Sequence, residues 1–242
     1  MLYSYDMKEI IIYCDGGAIG NPGPGGWAAV ILNKGEGERV KGEVIEIGGA
    51  EKQTTNNRME LKAAIEALRF VTNNRQLATD NIIRVHTDSE YVVNGITKWV
   101  FGWEQNGWKT ASKQPVLNQD LWQELMAISG KLDVIWQHVR GHSGVILNER
   151  VDTIANSFAR WQKPQLFSGS EKEYKKFLES APKSSAPRSG KAYSYVSMVD
   201  GKIMTHKTWA ECEERVKGKV AKFKKALSAE DEVKIIADFK KL

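Results

Sequence analysis

Three β-rich runs follow one another near the start of the 242-residue chain, and the segments between them are too short to hold a crossover helix. They cover residues 9–15, 27–32 and 43–47. Strands joined by short connections pair antiparallel, so we expect a β-meander. Residues 16–26, between the first two runs, are rich in glycine and proline and predict a turn.

Beyond the meander, strands alternate with helices. Residues 57–71 have apolar side chains at helical spacing, namely Leu61, Ala64, Ile65, Leu68 and Val71. Residues 82–87 and 133–139 predict two further strands, and helices are expected from Ser89 onward and over residues 148–161. The predicted fold class is therefore α/β, with a mixed five-stranded sheet flanked by helices.

Four acidic residues occupy the ends of these elements. Asp15 and Asp88 end predicted strands, Glu60 lies in the first turn of the first helix, and Asp152 lies on the helix over residues 148–161. Taken singly, each is as well explained as a helix cap or a surface acid, and Asp88 precedes a helix start. Four converging carboxylates, however, would repel one another and any phosphate unless divalent cations lay between them. The set predicts two Mg²⁺ ions, with Mn²⁺ as a possible substitute, and phosphodiester chemistry.

The chain divides by charge as well as by pattern. Of its net charge of +5, residues 1–160 contribute −2 and residues 161–242 contribute +7. An acidic catalytic part beside a basic part suggests a polyanionic partner. Residues 162–191 are rich in Ser, Lys, Pro and Glu and predict a linker, with a short helix inside residues 170–180.

Residues 192–242 predict a small α+β module with a three-stranded antiparallel sheet and two helices. A hairpin is expected around Asp200-Gly201. Capping boxes at Thr208 and Ser228 predict two helix starts, with a strand near residues 220–227 between them. The predicted domains are therefore residues 1–161 and 192–242, joined by the linker.

Cysteine content and hydropathy bear on location. Cys14 and Cys212 lie in different neighbourhoods and indicate no disulfide framework, which favours a reducing compartment. No apolar run approaches the ~20 residues of a membrane span, and the first residues lack a signal-peptide profile. We expect a cytoplasmic protein, acting as a monomer and without membrane contact.

Residues 8–161 closely resemble type I ribonuclease H, which cuts the RNA strand of RNA/DNA hybrids. The motifs that carry the resemblance are Asp15-Gly16, Gly20 to Gly26, Thr54 to Leu61, Thr87-Asp88-Ser89, Gly107 to Thr110, Gly141-His142 and Asn148-Glu149. The resemblance implies that Asp15, Glu60, Asp88 and Asp152 are metal ligands. It also implies that His142 assists proton transfer or product departure, a role that suits a histidine in a glycine-flanked loop.

The resemblance further assigns contacts with the hybrid. Gly16, Asn21 and Asn56 would read the 2′-hydroxyl of the RNA strand, for which short polar side chains and glycine N–H groups are suited. Thr55 and Asn118 would grip a phosphate of the DNA strand, and Trp99 would line the DNA channel. The neighbouring Asn57 is expected to cap the helix instead, and Trp103 and Trp108 fit the core equally well.

Two departures from the family pattern concern substrate affinity. Where related bacterial enzymes carry a basic run on a protrusion, residues 102–108 are nearly uncharged, and only Lys109 and Lys113 are nearby. Glu90 stands where a glutamine commonly touches the substrate. A carboxylate can accept a hydrogen bond from a 2′-hydroxyl but cannot donate one.

Residues 193–239 resemble the hybrid-binding, viroplasmin-like domain of eukaryotic type 1 enzymes. By that resemblance, the DNA strand would contact Trp209, Phe223, Lys224 and Lys225. The alternative is that Trp209 and Phe223 form the core of a small domain. We hypothesise that substrate affinity has moved from the protrusion to this module, on a 30-residue tether with a reach of about 30 Å.

Two other functional classes compete with hybrid cleavage. A non-catalytic hybrid-binding protein would keep the C-terminal module but would not need the four acids. A DNA-processing relative such as an integrase shares the fold, but the motifs of those enzymes are lacking. The sequence therefore favours an Mg²⁺-dependent endoribonuclease that acts on RNA/DNA hybrids.

Overall fold

The computed structural model describes residues 8–34, 42–74, 81–141, 144–180, 192–217, 219, 221–226 and 228–240. The chain divides into two compact units between Pro182 and Lys183. The strands of the first unit are β1 Lys8–Ala18, β2 Gly23–Asn33, β3 Glu43–Thr54, β4 Asn81–Thr87, β5 Asp133–His138 and β6 Ser168–Ser170. Its helices are α1 Asn56–Asn73, α2 Glu90–Asn94, α3 Val100–Gln105, α4 Gln119–Ser129, α5 Ile146–Ala159 and α6 Glu171–Ser180, with a π-helical segment, Gly95–Trp99, between α2 and α3.

The strands of the first unit form one mixed sheet in the order β5-β4-β1-β2-β3-β6. β1, β2 and β3 pair antiparallel with their chain neighbours, which confirms the predicted meander. β4 pairs parallel with β1 and with β5 on the other side. The predicted α/β fold with its five strands is confirmed. β6 adds a sixth strand, only three residues long, at the β3 edge.

Helices cover both faces of the sheet, and the side chains of β2 alternate between them. Ala29 and Ile31 are buried in the cluster that includes α1 and α4, whereas Ala28 and Val30 are buried in the cluster that includes α5. A strand buried on both faces is apolar almost throughout, as residues 27–32 are. The meander therefore lies at the centre of the domain.

Glycines in the predicted turn let the two helical layers approach the sheet closely. A Cβ on Gly16 would lie 2.3 Å from the backbone C and O atoms of Met59 in α1, and one on Gly26 would lie 2.1 Å from the backbone O of Ala155 in α5. The turn prediction is therefore only partly right, because residues 16–18 and 23–26 lie in β1 and β2. Gly16 and Gly26 serve close packing against helices rather than chain reversal.

Two helix caps differ from the sequence expectation. Thr55, not Asn57, caps α1, because the Thr55 hydroxyl accepts a hydrogen bond from the backbone N–H of Arg58. Ser89 caps α2 through the N–H of Val92, so Asp88 is not needed for capping. Helix capping therefore does not explain why an aspartate occupies position 88.

Helix α4 was not predicted from the sequence. It begins after Asn118, which has a left-handed backbone (φ 59°) and makes no side-chain capping bond. Without a capping box, the sequence signal for its start was weak. Trp122 and Leu125 on this helix are fully buried, so α4 is an integral part of the core.

Residues 162–180, assigned to the linker from composition, include β6 and α6 and belong to the first unit. The buried carboxylate of Glu46 holds these residues to the sheet of the first unit. The Glu46 side chain, on β3, is fully buried and pairs with Arg150 at 2.7 and 2.8 Å. It also accepts hydrogen bonds from the Tyr174 hydroxyl at 2.7 Å and the Phe167 N–H at 3.0 Å. Sequence composition could not reveal this contact because the partners lie more than 100 residues apart.

The second unit matches the predicted module. Its strands are β7 Ser194–Val199, β8 Lys202–His206 and β9 Ala221–Ala226, in the order β8-β7-β9, and its helices are α7 Trp209–Val216 and α8 Ala229–Phe239. Thr208 and Ser228 cap the two helices through hydrogen bonds from the N–H groups of Glu211 and Asp231. A small core contains Val196, Ala226, Ile235 and Phe239.

Within the described ranges, every helix is too short or too polar to cross a bilayer.

The Glu46 network generates a stability prediction. Replacing Glu46 with alanine should destabilise the first unit by about 3–5 kcal/mol, because Arg150 would be left buried without its partner. Urea unfolding monitored by tryptophan fluorescence measures the change. Glu43→Ala, at an exposed position of the same strand, is the matched control and should change stability by less than about 0.5 kcal/mol. Equal effects of the two changes would contradict a stabilising role for the network.

Candidate active site

Three of the four predicted carboxylates line one open cleft of about 290 Å³. Asp15 is on β1, Asp88 directly follows β4, and Asp152 is in the middle of α5. Because β1 and β4 are parallel neighbours, the segments that follow their paired residues lie at the same end of the sheet. The helix α5 brings Asp152 to this end from the opposite face of the sheet to α1.

Glu60, on α1, lies beside the cleft rather than in its lining. Its carboxylate accepts a hydrogen bond from the Ser89 hydroxyl at 2.5 Å, and it interacts electrostatically with Asp15 and Asp88. The close contact of α1 with Gly16 sets its distance from β1. The structure therefore brings together all four carboxylates that the sequence singled out.

Two of these acids, Asp15 and Glu60, have a raised pKa. Burial, followed by the charges of Asp88 and Asp152, raises the pKa of Asp15 well above its usual range. Burial also raises the pKa of Glu60, against the opposing effect of the Ser89 hydrogen bond. Perturbed carboxylates in a cleft are typical of functional sites.

The donor set fits a hard divalent cation. Carboxylate oxygens are the ligands that Mg²⁺ prefers, and a cation would offset the repulsion that raises the pKa of Asp15. Among the described residues, no three Asp, Glu, His or Cys side chains already stand at the mutual distances of a metal cage. The site is thus an open acidic cleft with ligands of the right chemistry, rather than a closed cage.

The predicted proton-transfer residue, His142, lies outside the described residues. Another histidine, His138 at the end of β5, is close to the cleft. Its Nε2 lies 3.2 Å from the backbone O of Asp88, to which it donates if that nitrogen carries the proton. His138 therefore supports the backbone that carries one of the carboxylates.

The residues expected to read the RNA strand cluster at one end of the meander. The Asn56 side-chain oxygen accepts from the Ala18 N–H at 2.7 Å, and the Asn21 side-chain oxygen accepts from the Asn56 N–H at 3.3 Å. Both asparagines are exposed. The Gly16 N–H already donates a hydrogen bond to Asp15 Oδ1 at 2.7 Å. The asparagine amide N–H groups thus remain the donors on this surface that suit a 2′-hydroxyl.

The residues expected to grip a DNA phosphate are linked through Arg58. Its guanidinium donates to Asn118 Oδ1 at 3.5 Å and pairs with both oxygens of Asp120 at 3.0 and 2.7 Å. Asn118 also donates to the Tyr91 hydroxyl at 3.2 Å. Thr55 is one residue before α1 and is half-buried. These contacts fix the positions of the side chains before any substrate arrives.

Trp99, the predicted channel residue, ends the π-helical segment between α2 and α3. Trp99 is 39% exposed and contacts the rings of Tyr91 and Trp103. Trp103 and Trp108 are half-buried against the core, which favours the structural alternative for both. Glu90 is exposed in the first turn of α2. Trp99 is thus available to a substrate in a way that Trp103 and Trp108 are not.

Comparisons with known proteins agree with this geometry. A family model described as RNase H matches residues 7–160. Ribonuclease H of Thermosynechococcus vestitus is 56% identical over 151 residues, which cover 62% of this chain and 89% of the relative. Ribonuclease HI of Caulobacter vibrioides is 48% identical over 158 residues, which cover 65% of this chain and 97% of the relative.

A solved structure extends the agreement to the fold. The crystal structure of LC9-RNase H1, described as a type 1 RNase H with the type 2 active-site motif, shares 32% identity and a TM-score of 0.60. The match covers 69% of this chain and 81% of that chain. The chain belongs to the RNase H family. The first unit therefore contains a ribonuclease H domain of the type I class. Members of this family cleave the RNA strand of RNA/DNA hybrids.

The family match ends at residue 160, so the hybrid-binding role of the second unit stays a prediction. Its candidate residues form an exposed aromatic platform. Trp209 and Phe223 are 38% and 50% exposed, and their ring centroids are 5.2 Å apart. The ring centroids of Tyr195 and Trp209 are 5.5 Å apart. The exposure of Trp209 and Phe223 disfavours the alternative that they form the core.

Strand register separates the two predicted lysines of β9. Lys225 pairs with Tyr195 and Phe223 pairs with Ser197, so Lys225 and Phe223 are on the face of the sheet that carries the platform. Lys224 pairs with Val196, a core residue of the opposite face. Lys225 is therefore the better-placed partner for a phosphate beside the platform.

No role was predicted from the sequence for several residues that touch the site. Asn156 donates to Asp152 Oδ1 at 2.6 Å, and Asn148 donates to Asp88 Oδ2 at 3.1 Å. Both are on α5, four residues after and four before Asp152. A polar stripe at i, i+4 and i+8 was present in the sequence and would have identified them. Tyr195 was missed because its contact with Trp209 is formed between separate elements of the second unit.

The raised pKa of Asp15 generates a prediction for the metal-free ribonuclease H domain. Because folding raises this pKa, the ionised side chain disfavours the fold, and stability should rise as pH falls through the raised value. Asp15→Asn keeps the oxygen that accepts from Gly16 and removes the charge. It should abolish cleavage yet raise Tm by a few degrees at neutral pH, measured by calorimetry in a chelator.

Asp120→Asn is the matched control, because hydrogen bonding to Arg58 lowers the pKa of Asp120. Its ionised form stabilises the fold, so this change should leave Tm equal or lower. A lower Tm for Asp15→Asn than for the wild type would show that charge repulsion at the cleft does not significantly destabilise the folded domain.

Proposed function

We propose that this chain is an Mg²⁺-dependent endoribonuclease that cleaves the RNA strand of RNA/DNA hybrids and leaves 5′-phosphate and 3′-hydroxyl ends. The observation that carries the proposal is the group of four carboxylates around one cleft, with a pKa for Asp15 raised by burial and by its acidic neighbours. Action as a cytoplasmic monomer belongs to the same proposal.

In this proposal, Asp15, Glu60, Asp88 and Asp152 hold two Mg²⁺ ions. When bound, the ions would supply activation of a water and stabilisation of the leaving oxygen. Burial of the carboxylates lowers the local dielectric and strengthens each interaction with a cation. By the family resemblance, His142 would assist proton transfer or product departure.

The surface beside the cleft orients the hybrid. Asn21 and Asn56 would bind the 2′-hydroxyl through their amide groups, with the Gly16 region beside them, and Thr55 and Asn118 would bind a DNA phosphate. Trp99 would contact the DNA strand through its exposed face. Glu90 would accept a hydrogen bond from the substrate but would also repel nearby phosphates, so it should weaken rather than strengthen binding.

Cleavage assays with one variant test the activity. Labelled RNA/DNA hybrid, double-stranded RNA and DNA duplex are incubated with wild type and Asp88→Asn, with and without Mg²⁺. Only the wild type with Mg²⁺ should cut the hybrid, and Asp88→Asn should lose at least about a hundredfold, since charge stabilisation by a metal supplies several kcal/mol.

Asp133→Asn is the control for this assay, because Asp133 is exposed at the opposite end of the parallel strand next to β4. It should cleave like the wild type. Hybrid binding without cleavage would instead favour a non-catalytic binding protein, and cleavage of the DNA duplex would favour a DNA-processing enzyme.

We further propose that the second unit anchors the hybrid, with Trp209, Phe223 and Tyr195 against the sugars of the DNA strand. Lys225 and, from the other face, Lys224 would contact phosphates. Only residues 181–191 separate the described parts of the two units, rather than the thirty residues predicted as linker. A linker of eleven residues with the end-to-end distance of a random coil, about 18 Å, would keep a bound hybrid at an effective concentration near millimolar.

Two lysines on adjacent positions give a sharp test of this anchor. In an Asp88→Asn background that prevents cleavage, Lys225→Ala should weaken hybrid binding several-fold and reduce its salt dependence by about one charge. Lys224→Ala, from the opposite face, should have a smaller effect on both. Fluorescence anisotropy over a salt series measures the two quantities.

Deletion of residues 183–242 should give the full effect of the anchor, a higher KM with nearly unchanged kcat. The deletion must not begin at residue 162, because that would remove β6, α6 and the Tyr174 contact with Glu46. An unchanged KM in the 1–182 protein, or equal losses for the two lysine variants, would argue against the proposed platform.

A further inference from the structure

The four carboxylates share one feature beyond their charge. Each accepts a hydrogen bond from an uncharged donor, namely the Gly16 N–H for Asp15, the Ser89 hydroxyl for Glu60, the Asn148 amide for Asp88 and the Asn156 amide for Asp152. Two of these donors, Asn148 and Asn156, are on the same helix as Asp152. We propose that Asn148 and Asn156 are positioning residues, which orient Asp88 and Asp152 for cation binding without neutralising them.

The contact of Asn156 is the more complete of the two. Its amide nitrogen lies 2.6 Å from Asp152 Oδ1 and 2.9 Å from the Asp152 backbone O. One amide group thus contacts the side chain and the main chain of the same residue, which restricts the rotation of the carboxylate about its side-chain bonds.

Asn148 makes the corresponding contact with Asp88, which directly follows β4. It is 3% exposed, and its amide nitrogen lies 3.1 Å from Asp88 Oδ2. Its own carbonyl oxygen, Oδ1, is buried without a hydrogen-bond partner in the described part of the chain. An unpaired buried carbonyl destabilises a fold. The asparagine at this position is better explained by the hydrogen bond that its amide N–H donates to Asp88 than by a contribution to stability.

The uncharged character of these donors matters for the chemistry. A lysine or arginine at the same distance would orient a carboxylate equally well, but it would also cancel the charge that attracts the cation. An amide orients the oxygen and leaves the charge in place. Hydrogen-bonding partners of this kind commonly change metal affinity or activity by 10–100-fold when they are removed.

This inference rests on the proposed function, and its test therefore measures cation binding directly. Mn²⁺ is titrated into the full-length chain without substrate, and free Mn²⁺ is followed by its electron paramagnetic resonance signal. Asn156→Ala and Asn148→Ala should each bind Mn²⁺ about tenfold more weakly than the wild type. In cleavage assays, the Mg²⁺ concentration for half-maximal activity should rise to a similar extent while KM for the hybrid stays nearly constant.

Ser157→Ala is the matched control. Ser157 is the next residue on α5, and its hydroxyl donates to the Thr153 backbone O rather than to a carboxylate. This variant should bind Mn²⁺ and respond to Mg²⁺ like the wild type. Asn156 is half-buried, so its alanine variant should keep a Tm close to that of the wild type and carry the test even if Asn148→Ala fails to fold.

The outcomes separate this inference from the proposed function. If the wild type binds Mn²⁺ and Asn156→Ala binds it equally well, the positioning role is wrong while the proposed function stands. A lower Tm with unchanged Mn²⁺ binding would assign Asn156 a purely structural role and would also overturn the inference. If the wild type itself takes up no Mn²⁺ and needs no metal for cleavage, both proposals fail.

Discussion

The site depends on the missing side chains of Gly16 and Gly26. Any Cβ at these positions would lie within 2.3 Å of the backbone of α1 or α5, closer than two atoms can approach. The glycines therefore allow a helix to press on each face of the meander beside Asp15. Glu60 on α1 and Asp152 on α5 reach the cleft only because of this contact. A larger residue at either glycine would move one helix outward and separate its carboxylate from the others.

The domain treats its buried acids in two different ways. Glu46 is fully buried, pairs with Arg150 through both oxygens and receives two further hydrogen bonds, so its charge is cancelled and its position fixed. The cleft acids accept from Gly16, Ser89 and two asparagines, which orient them without adding a positive charge. The first arrangement stabilises the fold and the second opposes it. The raised pKa of Asp15 is the measure of that opposition.

Local signals were sufficient for much of the fold. The capping boxes at Thr208 and Ser228, the hairpin at Asp200-Gly201 and the apolar runs of the strands each depend on a few adjacent residues, and all were predicted. The failures involve long-range contacts. Composition assigned residues 162–180 to a linker, because the contact between Tyr174 and Glu46 spans 128 residues. Helix α4 lacked a capping signal at Asn118. The four carboxylates were predictable, whereas the contact between Asn148 and Asp88 required α5 to be placed beside the end of β4.

The charges of the two units explain why binding and cleavage would be divided between them. With the boundary after Pro182, the first unit has 21 Lys and Arg against 22 Asp and Glu, and the second has 14 against 8. A cleft built to attract cations repels phosphates, so a net charge of −1 offers little electrostatic affinity for a duplex. Adding cations beside the cleft would strengthen hybrid binding but weaken the hold on Mg²⁺. A separate unit with a net charge of +6 would avoid that conflict, because its cations need not be placed among the carboxylates that would bind Mg²⁺.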